Sequence, residues 1–193
     1  MSEYLRRLPI GQRMSTAPLT GNELWPFDSD LETIALAEPT LPEPAREGEG
    51  AVECGNCTPR DGWDAWRDER WVMRIPPTPT GLPIVAVLMS RVHHDLETLP
   101  HELAVELGPM IQRVARALAA LPDVGRVHVN RWGDGSEHFH VWFLPRPRGM
   151  LQLRGALLAV WDDLLPKVPQ AEWDANRIAV ARAVAAGGGE LLV

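Results

Sequence analysis

The sequence predicts an α+β domain with a mostly antiparallel sheet, and three observations carry that expectation. Short apolar runs separated by turn residues occupy 66–89 and 126–144. One long amphipathic stripe lies between them, and a second helical block follows. The order reads β-β-β-α-β-β and then helices. At 193 residues the chain is long enough for one domain that buries roughly 70% of its unfolded surface.

Trp66 to Ile75 reads as strand, tight turn at Arg67-Asp68-Glu69-Arg70, and strand. Leu82 to Met89 is a short apolar run suited to a central strand. Thr98 and Pro100 open a helix whose stripe is Leu103, Leu107, Met110, Ile111, Val114, Leu118 and Leu121, with Pro109 expected to bend or break it. Pro122, Asp123 and Gly125 close it. Two strands, Arg126 to Trp132 and Glu137 to Leu144, are joined by the hairpin signal Gly133-Asp134-Gly135-Ser136. Met150, Leu153, Leu157, Trp161 and Leu164 form a helical stripe, and a further helix follows Pro169 to Ala186 before Gly187-Gly188-Gly189 frees the end. Residues 1–50 carry Pro9, Pro18, Pro26, Pro39, Pro42 and Pro44 and read as an extended arm, with 51–193 as the folded domain. Trp25 and Phe27 suit docking against a neighbouring subunit rather than a solvated tail.

Composition excludes several function classes. No run of about 18 apolar residues exists, so no membrane span is expected. The first residues lack the apolar core of a signal peptide, which points to the cytoplasm. A net charge of −7 argues against a broad basic face, so nucleic acid is not an expected partner.

Two features carry chemistry. Side chains on a strand alternate faces, so His138, His140 and Trp142 share one face while Phe139, Val141 and Phe143 point into the core. The cysteines, Cys54 and Cys57, form one C-x-x-C. With a histidine ending the third strand (His93 or His94) and one histidine of the pair, they complete a Cys2His2 set of the kind that binds zinc tetrahedrally. A redox dithiol is the competing reading, although this C-x-x-C does not open a helix, so the usual thiolate-stabilising dipole is missing. His101 reads as solvated, and His128 as a partly buried structural residue.

The run from Cys54 to Arg146 resembles the histidine-triad (HIT) superfamily. His138-Phe139-His140-Val141-Trp142-Phe143-Leu144-Pro145-Arg146 matches its His-x-His-x-His signature with Trp142 in the third histidine place. The motif is closest to the galactose-1-phosphate uridylyltransferase-like branch, where that third place is also not histidine. The resemblance implies a HIT-like sheet with a long helix packed on it, and structural zinc on Cys54, Cys57, His93 (or His94) and His138. It implies His140 as nucleophile on the α-phosphate of a nucleotide or nucleoside-phosphate conjugate, forming a nucleotidyl-histidine, and a homodimer. Asn130, Ser136, Trp142 and Arg146 are the candidate phosphate or nucleotide contacts, with Arg131 a weaker one. The alternative is a zinc-stabilised nucleotide-binding module without turnover.

Overall fold

Six antiparallel strands form one sheet in the order β4-β5-β3-β2-β1-β6: β1 Asp64–Arg67, β2 Trp71–Arg74, β3 Ala86–Ser90, β4 Val124–Asn130, β5 His140–Pro147 and β6 Glu190–Leu191. The computed structural model describes residues 9, 11–13, 27, 31, 35 and 37–193. The β1–β2 turn forms where expected because the Asp68 carboxylate accepts the N–H groups of Arg70 and Trp71 at 2.8 and 2.7 Å.

Register determines which side chains meet the helices. Ala86 pairs with Phe143 and Leu88 with Val141, and all four are buried in the main core with Phe139. Helix α1, His101–Ala119, lays Leu103, Met110, Val114 and Leu118 on that face, and Leu107 and Ile111 pack partly buried beside them. Pro109 does not end the helix. Its missing N–H would have bonded the carbonyl of Val105, an exposed residue, where solvent can satisfy the freed oxygen. The same register sends Val87 and Trp142, and Met89 and His140, to the opposite face. There Val72, Val87, Met89 and Trp142 form a second apolar cluster.

The C-terminal part departs from the sequence expectation at two places. The stripe from Met150 to Leu164 is not one helix. It is a 3-10 turn, Leu151–Leu153, and a short α2, Leu158–Leu164, separated at Gly155, whose φ of +84° is incompatible with helix. Helix α3, Gln170–Ala185, forms as expected and buries Trp173, Val180, Ala181 and Val184. The glycines after it do not free the end. They bring Glu190 and Leu191 back to pair with Arg67 and Trp66. A side chain at Gly189 would lie 2.5 Å from the Trp66 indole nitrogen, so only glycine allows that return.

The chain divides between Pro44 and Ala45 into two units. Residues 45–50, placed in the arm by composition, therefore belong to the second unit. They act there as a strap: the Glu47 N–H donates to the Gly135 carbonyl at 3.2 Å, and the Glu137 N–H donates to the Glu47 carbonyl at 2.9 Å. Trp25 lies outside the described residues. Among the described residues no helix is long and apolar enough to cross a membrane.

Candidate functional site

Cys54 precedes and Cys57 ends the 3-10 turn Gly55–Cys57. That turn has almost nothing to bury, so it is held from outside. The buried Arg74 guanidinium, paired with Asp64 at 2.7 Å, donates to the Asn56 side-chain oxygen at 3.1 Å and to the Thr58 carbonyl at 2.7 Å. Glu47 accepts the Gly55 N–H at 2.7 Å. The thiols then face two imidazoles. His138 Nδ1 lies 3.4 Å from Cys54 Sγ and 3.6 Å from Cys57 Sγ, and His93 Nδ1 lies 3.4 Å from Cys57 Sγ. All four ligand atoms lie within 4.8 Å of one another.

These separations suit a tetrahedral ion. Bonds of about 2.3 Å to sulfur and 2.0 Å to nitrogen at tetrahedral angles put N and S about 3.5 Å apart. The far side of each ring is also arranged for it. His138 Nε2 meets the Ser90 carbonyl at 2.7 Å, and His93 Nε2 lies 3.5 Å from Glu137. A proton held on Nε2 leaves the Nδ1 lone pair facing the sulfurs, which is how outer partners orient metal-binding imidazoles. Burial pushes the Cys57 thiol up to about 11, with the neighbouring Cys54 adding to it. Burial also holds His138 below its ordinary value, so the neutral, ligating form is favoured. The donor set is compatible with zinc. Of the two candidates it is His93, not His94, whose ring joins the cluster, while the His94 backbone carbonyl accepts the Phe139 N–H at 2.6 Å.

Beside this cluster, on the sheet face opposite α1, lies a cavity of about 550 Å³. Its floor is Val85, Val87, Met89, Trp142 and Leu144, its rim includes Trp63 and Trp132, and His140 and Ser136 open onto it. Ser136 Oγ accepts from Asn56 Nδ2 at 3.3 Å and from the His138 N–H at 3.2 Å, which leaves its own proton to donate. The His140 ring meets a carbonyl at each nitrogen: Nδ1 lies 2.7 Å from the His138 oxygen and Nε2 lies 2.7 Å from the Trp132 oxygen. A neutral imidazole has one N–H, so it can satisfy only one of these oxygens. His140 is therefore capped rather than bare.

Of the expected contact residues, Ser136 and Trp142 line the cavity with His140, the His140 and Trp142 rings standing edge-to-face with centroids 6.5 Å apart. Asn130 and Arg146 are not part of its lining. Arg146 is buried, and its Nη1 donates to the carbonyls of Pro147 and Met150 at 3.0 and 2.9 Å, so it ties the end of β5 to the following turn. Arg131 pairs with Asp95. Sequence reasoning missed Asn56, Arg60, Trp63, Trp132 and Asp162, all cavity-lining, and the Arg74 clamp beneath the cysteines. Only Trp132, an indole directly before the glycine-rich loop, carried a local signal.

No protein-family model matches the chain, and no curated protein matches it in sequence. Solved structures do. A hypothetical histidine triad nucleotide-binding protein from Sulfolobus tokodaii superposes with a TM-score of 0.51 at 12% identity, covering 69% of this chain and 93% of that one. The chain has the histidine-triad fold. A HIT-like protein involved in cell-cycle regulation from Bartonella henselae covers 62% of this chain and 85% of its own at 14% identity and a TM-score of 0.45. A zinc-bound histidine triad family protein from Mycobacterium smegmatis covers 64% and 86% at 20% identity and a TM-score of 0.45. Within this HIT fold, Trp142 lies at the cavity floor.

Proposed function

We propose that this chain is a zinc-stabilised nucleotide-binding protein of HIT type in which His140 acts at the α-phosphate of a nucleotide or nucleoside-phosphate conjugate. The observation that carries the reading is His140 at the edge of a cavity floored by apolar side chains, with the Ser136 hydroxyl beside it. An apolar slot with a few convergent polar groups is the usual form of a small-molecule site. The stacking faces of Trp132 and Trp142 suit a base.

Cys54, Cys57, His93 and His138 would hold the zinc, which when bound supplies a structural cross-link between the turn at 55–57 and the end of β3. With its proton on Nδ1, shared with the His138 carbonyl, His140 would present the Nε2 lone pair as nucleophile. Attack forms a P–N bond as the bond from phosphorus to the leaving group breaks, and the leaving group departs with the electron pair. Water then attacks phosphorus, the P–N bond breaks, and the proton from water leaves with the released imidazole or phosphate. Ser136 donates to the phosphoryl oxygens throughout. Trp142, a donor without an acceptor, stacks or donates where the family has histidine.

This route needs the Trp132 carbonyl to leave Nε2. That contact favours a second reading, nucleotide binding without turnover. Incubating the protein with a panel of nucleotides, quenching and weighing it separates the two. A nucleotide adduct on the wild type and none on His140→Asn supports transfer. Full turnover by His140→Asn excludes it, and tight binding with neither adduct nor product selects the second reading. The cytoplasm and a homodimer accompany the proposal, and sedimentation measures the latter directly.

A further inference from the structure

The Trp132 peptide that caps His140 is anchored on both sides by one buried carboxylate. Before it, Arg131 Nη2 pairs with Asp95 Oδ1. After it, the Gly133 carbonyl accepts from Arg46 Nη1 at 2.9 Å, and the same Nη1 donates to Asp95 Oδ2 at 2.8 Å. The Asp95 side chain is 5% exposed, and it also takes the Leu96 N–H at 2.7 Å. Burial alone would raise its carboxyl. The Leu96 N–H and the two guanidinium groups outweigh this and hold it below the usual carboxylate range. The Arg131 guanidinium lies over Gly133 so closely that a Cβ there would sit 2.3 Å from it. Arg46 belongs to the strap that also bonds Gly135 and Glu137 through Glu47.

We infer that Arg46 and Asp95 are positioning residues for the 131–137 loop, a latch that keeps the Trp132 carbonyl on His140 Nε2 and makes that nitrogen reachable only when the loop moves. While capped, Nε2 holds its proton toward the Trp132 carbonyl. For Nε2 to present a lone pair the proton must sit on Nδ1 and the carbonyl oxygen must leave the place it fills at 2.7 Å, so access and latch release are one event. The inference reaches beyond the nucleotide reading because it concerns the imidazole itself, whatever the cavity binds.

Diethyl pyrocarbonate, which acylates accessible imidazole nitrogens, tests it on the full zinc-loaded chain at one fixed pH, with each of the six histidines followed by peptide mass spectrometry. If the uncapped state is a minor one of about 10% or less, His140 of the wild type labels at least about tenfold slower than the exposed His101. Arg46→Ala brings His140 to within about threefold of His101 while His128 and His138 keep their wild-type rates, and Arg46→Lys, with one donor group left, falls between. Wild-type His140 labelling as fast as His101 overturns the inference, as does an unchanged His140 rate in Arg46→Ala. A rise at all six histidines alike overturns it too, because Arg46 would then hold the fold rather than the loop. No nucleotide is present, so failure of the proposed chemistry and failure of the latch give different results.

Discussion

His138 and His140 are two residues apart, but the strand expected from Glu137 starts only at His140 and leaves His138 in the bend before it, and the two rings have different surroundings. Each ring has one nitrogen on a backbone carbonyl at 2.7 Å, Ser90 for His138 and His138 itself for His140. The second nitrogen makes the difference. That of His138 faces two thiols at 3.4 and 3.6 Å, whereas that of His140 faces the Trp132 carbonyl at 2.7 Å. The metal corner presents lone pairs converging on one point. The cavity presents a ring that a loop has covered. What faces the second nitrogen is thus what distinguishes the two rings.

The strongest way to break the comparison is to make the same substitution at both rings. His138→Asn is expected to lose the bound zinc, from about one ion per chain to near none, and to lower stability by more than about 3 kcal/mol, since a structural zinc site contributes directly to folding. His140→Asn is expected to retain the zinc and lose about 1 kcal/mol, the size of one ordinary hydrogen bond. Urea unfolding with metal analysis measures both, and equal losses would end the distinction.

A smaller effect sharpens the metal side. Gly48 has a φ of +86°, and a Cβ there would lie 2.6 Å from His93 Cε1. Gly48→Ala is expected to cost about 1–3 kcal/mol through backbone strain and displacement of His93, with weaker zinc retention in a chelator competition. Gly135→Ala, on the cavity side with nothing within 4 Å, is expected to stay within about 0.5 kcal/mol by thermal unfolding.

The smallest concerns the far wall of the cavity. Asp162 accepts the Leu82 N–H at 2.8 Å, and burial holds its carboxyl above the usual carboxylate range, partly offset by the donors around it. A raised folded value means the folded state binds this proton more readily than the unfolded state, so stability falls as pH rises through it. Asp162→Asn, which keeps an acceptor for Leu82, is expected within about 1 kcal/mol of wild type at pH 7, with the wild type gaining on it as pH is lowered toward 4. Asp162→Ala strands the Leu82 N–H and is expected to lose about 1–3 kcal/mol. Denaturant midpoints across that range check the sign.

Sequence by itself determined the existence of the first five strands, though β5 starts at His140 rather than Glu137, together with the long helix and the ligand types, because these follow from local periodicity. Apolar residues every second place in 139–143 and every third or fourth in 103–118 have one face to bury, and the chain has few ways to bury it. Contacts reaching far along the chain were decided only by tertiary structure. Nothing near His93 distinguishes it from His94; the choice came from where β3 ends relative to a turn 36 residues earlier. Nothing near Arg146 shows that its Nη1 is turned inward onto two carbonyls. The single stripe of Met150 to Leu164 concealed a glycine break, and the terminal glycines concealed a strand return made possible by the close approach to Trp66. The Trp132 carbonyl that meets His140 sits in a loop whose next carbonyl, that of Gly133, is held by Arg46 from 87 residues away, and side-chain periodicity carries no information about where a backbone oxygen points.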